Sequence, residues 1–298
     1  MSQTYAVKTY EQVGEREDLT SIISTITLHE TPLFSGLEHV KASGTYHEWQ
    51  TDSLTTGSAN NQIEGADFSF ALAASRTRTG NYTQIFTKAI EVSETIRAVS
   101  VAGLEDEYAY QMEKKMKEIA TDVEKALITA TANSGASGTA RRLKGILSWL
   151  TAYVESGSGT GTQALTEALY NSMLAEIWGN GGRPDATYVN GWQKRKISAF
   201  ATSNTRYLEV DSEAKLINKV SVYESDFGVQ RILLDSFMST DTIAVLQRDM
   251  WKVAILRGIS QVDVAKVADS KRGALVGELT LEAKNAASSG KIIQLTTS

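Results

Sequence analysis

"GLEDEYAYQMEKKMKEIATDVEKALITATAN", Gly103 to Asn133, contains no proline and no internal glycine. Leu104, Tyr108, Met112, Met116, Ile119, Val123, Leu127 and Ala130 recur in it at spacings of three and four, which draws one apolar stripe along a helix. Glu113 with Lys117, Lys114 with Glu118 and Asp122 with Lys125 decorate the rest with opposite charges near one another on the helix surface. Gly103 stands at the N-cap position and Gly135 just past the end. A helix over this whole stretch would be roughly 46 Å long. The stripe lacks strict heptads, so it predicts packing on a core rather than a coiled coil.

The three acids that open the stretch, Glu105, Asp106 and Glu107, raise the question of metal or acid–base chemistry. Neighbouring helical residues point about 100° apart, so three in a row do not converge on one ion. The exposed N–H groups and dipole of a first helical turn stabilise negative side chains more simply. The stretch reads as a beam.

Outward from it, the search for other chemistry finds little. The chain has 298 residues, no cysteine and a formal charge of −5. Disulfides, thiol nucleophiles and cysteine metal sites are excluded, and an acidic balance argues against a main role in gripping phosphate. The basic clusters "RRLK" (Arg141 to Lys144) and "QKRK" (Gln193 to Lys196) read as solvated faces. His29, His39 and His47 are the three histidines; they lack zinc spacing or a catalytic partner and read as polar residues of an extended arm. No GxSxG elbow, GxxxxGK[ST] loop or GxGxxG fingerprint occurs. "SGSGTGT" (Ser156 to Thr162) reads as a surface loop, and "GNGGRP" (Gly179 to Pro184) as a helix stop. No catalytic residue, metal ligand or cofactor site is expected. No segment approaches eighteen continuous apolar residues and no basic start precedes an apolar run, so the chain is expected to be intracellular and not membrane-bound.

The organisation on either side is mixed. Residues 1–44 hold the amphipathic "EDLTSIISTIT" and then "HETPLFSGL", an N-terminal arm that must lay its apolar residues on something else. "TYHEWQT" and "DFSFALAASRTRT" alternate like strands around the turn-rich "DSLTTGSANNQIEG". This predicts a long β-hairpin over 45–88, which needs a partner because two strands alone are marginal in water. Beyond the beam, a helix around "ALTEALYNSMLAEIWG" and a strand–helix step at "ATYVN" and "WQKRKISAFA" lead into strand-rich sequence. Regular βαβ alternation is missing, so the fold class is α+β.

In this order the pieces resemble the major capsid proteins of tailed bacteriophages, the Hong Kong 97-type fold. The phrases "FTKAIEVSETIRAV", "LKGILSWL", "GGRPDATYVNGWQKRKIS", "VYESDFGVQRILLDSFM" and "LVGELTLEAKNAASSGKI" carry the resemblance over nearly the whole chain. It implies a spine helix at 103–133 within a peripheral domain of residues 89–144 and 251–298, and an axial domain of 145–250. It also implies an extended loop that contacts a neighbouring subunit through Trp49, Asp52, Asn60, Asn61, Glu64 and Phe68, while Leu104, Tyr108, Met112, Met116, Ile119, Val123 and Leu127 pack the spine. The implied function is a shell of pentamers and hexamers around double-stranded DNA, bound without sequence specificity, in the virion after assembly in the host cytoplasm. Portal, scaffolding and decoration proteins are the implied partners. Some members weld subunits through a loop lysine, but 45–79 contains none, the nearest being Lys41 and Lys88. The alternatives are an encapsulin-type bacterial compartment, a tail-tube or decoration protein, and an enzyme using Glu105, Asp106 and "GNGGRP".

Overall fold

The computed structural model describes residues 30–52, 57, 59–65, 67, 76–99, 106–150, 154–156, 163–203, 222–266 and 268–297. The amphipathic candidate at 17–27, His29, Phe68, Leu104 and Glu105 lie outside these residues.

The spine helix α3 covers Glu107–Thr129, about 35 Å. It begins later than Gly103 because Asp106 is the N-cap: its Oδ1 accepts from the Tyr108 amide at 3.0 Å, meeting an N–H the helix cannot satisfy. It ends at Thr129, short of Gly135. Ala130 is extended, and its carbonyl accepts from the Gly145 amide at 2.8 Å and from Ser148 Oγ at 2.9 Å. The intervening 131–144 make a small hairpin, with Asn133 paired to Arg142 and Gly138 at φ 82°.

Two sheets flank the beam. Strands β1 (Glu38–Lys41), β4 (Gln84–Ser93), β10 (Trp251–Val264) and β11 (Ser270–Ala283) form the first, in the order β1-β10-β11-β4. Alternation along β4 turns Phe86, Ile90 and Val92 to the buried side. There they share a core with Leu275 and Leu279 of β11 and with Tyr108, Met112, Ile119, Val123 and Leu127 of α3. The second sheet has the order β5-β12-β9-β6-β8-β7, from β5 (Val154–Ser156), β6 (Ala186–Val189), β7 (Val222–Ser225), β8 (Gly228–Leu234), β9 (Ile243–Leu246) and β12 (Gly290–Ile293). Its pairings are part parallel and part antiparallel, as an α+β fold implies. Strands β6 and β9 are buried at every position. Ala186, Tyr188, Ala244 and Leu246 face the first core, whereas Val189, Ile243 and Val245 face a second one with Tyr170, Met173, Leu174 and Ile177 of helix α5 (Glu167–Gly179) and Ile197 of α6 (Gly191–Ser203).

The structure redraws four boundaries. Pro32–Gly36 forms a short helix α1 on α3, and β1 pairs in parallel with β10, so 30–44 belongs to the first core rather than to a free arm. The hairpin of β2 (Tyr46–Thr51) and β3 (Thr77–Tyr82) ends at Thr83, because Gln84–Ser93 already pairs with β11. Ile146 and Leu150, around helix α4 (Ile146–Trp149), are buried in the first core. Gly290–Ile293 crosses to the second sheet, where Ile292 and Leu295 are buried. Each departure follows the same rule: a short apolar run goes to whichever core its neighbours leave open.

Candidate assembly site

Hairpin β2–β3 is held by its root. Asn81 is 2% exposed; its Nδ2 donates to the carbonyls of Leu281 at 2.8 Å and Lys144 at 3.1 Å, and its Oδ1 accepts from the Lys144 amide at 2.8 Å. Thr83 Oγ1 donates to Glu278 Oε1 at 2.6 Å. Glu278, buried on β11, also accepts from Arg141 Nη2 at 2.8 Å and Arg257 Nε at 3.1 Å. Two guanidinium groups neutralise one buried carboxylate, the pairing such burial requires. His47 Nε2 lies 3.0 Å from Glu282 Oε2. Gly80 lets β3 pass close to Tyr46, since a Cβ there would stand 2.8 Å from its ring.

Asn60, Asn61 and Glu64 are exposed, and Ile63 between them is 84% exposed. Asp52 is exposed and lies 3.7 Å from Arg76 across the pair of strands. Trp49 behaves differently from the expectation for a neighbour-facing residue. It is half-buried on its own subunit's core, its ring 5.8 Å from that of Trp149.

Along the spine, Tyr108, Met112, Ile119, Val123 and Leu127 are buried as the stripe predicts, but Met116 is 51% exposed. In the first half of α3, among the described residues, the sheet and the short helix α2 (Glu94–Ala98) lie against the helix, and the positions at least partly covered are 107, 108, 110, 111, 112, 115, 118 and 119. Met116 falls just off that face. In the second half α1 and α4 pack on further sides, so burial spreads round to Glu124 and Ile128. The ion pairs shift likewise. Glu113–Lys117 forms at 2.8 Å, whereas Asp122 pairs with Lys88 of β4 at 2.7 Å and Glu118 with Lys115 at 2.7 Å. The Asp122 contact holds the Lys88 ammonium above the usual lysine range.

The amides of Gly181 and Gly182 donate back to Trp178 and Ile177, so "GNGGRP" ends α5 and has spent its donors. Arg141 and Lys144 of "RRLK" are tied to Glu278 and to the Trp149 ring, 3.9 Å away. In "QKRK", Gln193 and Lys194 are buried rather than solvated. Gln193 Nε2 donates to Thr240 and Thr296, and Lys194 Nζ to Ile232. Among the described residues no three acidic or histidine side chains are grouped to hold a metal, and no helix is long and apolar enough to cross a membrane.

Residues 3–296 match the family model described as the SU10 major capsid protein. The chain belongs to that family. It is a phage major capsid protein, a structural component of the phage particle that assembles with copies of itself into the capsid shell, and not an enzyme. The major capsid protein of Escherichia phage Phieco32 is 24% identical over 333 residues, covering 94% of each chain. Among solved structures, the capsid asymmetric unit of cyanophage A-1(L) superposes with a TM-score of 0.70 at 13% identity, over 97% of this chain and 98% of that one. The capsid of a native GTA particle gives 0.66 at 10% identity, over 98% and 100%. A third, the phage G major capsid proteins solved with decoration proteins, gives 0.60 at 12% identity, over 99% and 100%. These likenesses give the capsid protein a Hong Kong 97-type fold, and the bacterial-compartment alternative is not favoured.

The sequence reading missed the root of the hairpin. Neither Asn81 nor Glu278 is among the residues that the sequence singles out. A signal was present: an acid inside the apolar alternation of "LVGELTLEA" needs a buried cation.

Proposed function

We propose that this capsid protein closes into a phage head of pentamers and hexamers, and that hairpin β2–β3 reaches across a subunit boundary while its root stays locked. One observation carries the reading: Ile63, in the sequence that links β2 to β3, is 84% exposed, while the base of that hairpin is fixed by buried hydrogen bonds. An exposed apolar side chain beyond such a base gains its burial from another copy. Asp52, Asn60, Asn61, Glu64 and Phe68 are the companion contacts, and Trp49 braces the hairpin from within. The first sheet with the spine forms the peripheral unit, and the second sheet with α5 and α6 the axial unit around the five-fold and six-fold axes. The shell encloses double-stranded DNA without reading its sequence, consistent with a net charge of −5. A portal and scaffolding or decoration proteins complete the particle, which is assembled in the host cytoplasm.

The test is deletion of Asp52 to Glu64. The subunit should unfold at an unchanged urea midpoint, while sedimentation shows few closed shells. Shells of normal yield and heat resistance would sink the proposal.

A further inference from the structure

Two buried carboxyl groups join three parts of the fold, and the shell role uses neither. Glu124 of α3 is 0% exposed; its Oε1 accepts from the Leu33 amide at 2.6 Å and its Oε2 from the Phe34 amide at 2.8 Å. Asp235, just after β8, is 2% exposed; its Oδ1 accepts from the Phe237 amide at 2.9 Å and its own amide donates to the Val189 carbonyl at 2.9 Å. It lies against Glu124, close enough for each to shift the other's proton equilibrium. Asp235 Oδ2 is buried without a donor.

Helix α1 presents backbone N–H groups; β6 presents the Tyr188 phenol, buried and without a hydrogen-bond partner. Beyond it stands Asp185, already bound by Arg248. Two ionised carboxylates in such a place repel one another and offer only acceptors. A proton on one of them supplies the donor that Oδ2 lacks.

We propose that Glu124 and Asp235 hold one proton between them, and that this acid pair is a latch pinning Pro32–Gly36 to the spine helix and to the second sheet, opened by loss of the proton. Burial, the largest cause, raises the Glu124 carboxyl from 4.5 to about 8 and moves Asp235 upward as well. A carboxyl with a raised folded pKa stabilises the closed form fully at low pH and loses that contribution as pH rises through the folded value. Opening therefore releases a proton between about pH 4.5 and 8, and its equilibrium constant rises there by up to about tenfold per pH unit. The latch belongs to the folded subunit whether or not a shell forms.

The test uses the full-length, unassembled subunit. Hydrogen-exchange protection factors of the Leu33 and Phe34 amides, already corrected for intrinsic exchange, should fall between pH 5 and 8 by up to about tenfold per unit. The carbonyl stretch of a buried carboxylic acid should be present at pH 7 and absent from Glu124→Gln. Asp235→Asn removes the facing charge but keeps the acceptor of both amides. Relative to its own value at pH 5, its protection at pH 8 should be about tenfold above wild type or more. Protection factors independent of pH in wild type, or no protonated-acid band at pH 7, would overturn the latch.

Discussion

Asn81 Nδ2 donates to the carbonyl of Leu281 at 2.8 Å, across 200 residues of sequence. The contact joins the base of strand β3 to the end of strand β11 in the first sheet. It makes the hairpin a lever with a fixed bearing, since the same side chain also clamps Lys144 through two further hydrogen bonds.

Asn81→Ala removes three hydrogen bonds to the backbone at a buried site, and only the Lys144 carbonyl keeps a second donor, Trp149 Nε1 at 3.1 Å. A loss of about 2–4 kcal/mol is expected, read as a lower urea midpoint of the unassembled subunit. A change indistinguishable from zero would mean that the root is not fixed by these bonds.

The two halves of the spine should respond differently to charge. Val123 is fully buried, so Val123→Asp should cost about 3–5 kcal/mol by burying an unpaired carboxylate. Met116→Lys, on the half-exposed side, should stay within about 0.5 kcal/mol of wild type. Thermal unfolding of both variants checks the contrast, and equal losses would contradict the asymmetric covering of the helix.

Glycine 145 closes the end of the spine. A Cβ there would stand 2.8 Å from the Ala126 carbonyl oxygen and the Ala130 nitrogen, all backbone that cannot swing away. Gly145→Ala should destabilise by about 1–3 kcal/mol. Gly179→Ala, at the end of α5 with nothing within 4 Å of the new methyl, should instead stabilise by about 0.5–1 kcal/mol.

Shell subunits should not be covalently joined through the hairpin. An isopeptide bond needs an amine, and 45–79 carries no lysine; Lys88, beyond it, is held by Asp122 at 2.7 Å. Particles boiled in denaturant should run as one band near 32.4 kDa. A ladder of multimers would show another nucleophile at work.

The amino-acid sequence by itself determined the elements. A stripe at spacings of three and four made the spine helix, period-two alternation made the strands, and family phrasing along most of the chain carried the capsid fold. These signals are local or nearly so, and a side chain's neighbours three or two positions away are fixed by backbone geometry alone. What only the tertiary structure decided was where each face found its cover. Met116 fits the stripe and is exposed, because a helix face is buried only where another element reaches it. Trp49 alternates correctly in its strand and yet turns inward onto Trp149. Gly290–Ile293 crosses to the other sheet because β9 leaves an edge open beside it. Glu124 and Asp235 lie more than a hundred residues apart, and nothing local to either predicts an acid facing an acid. Their shared burial exists only once α1, α3 and the second sheet have closed around them.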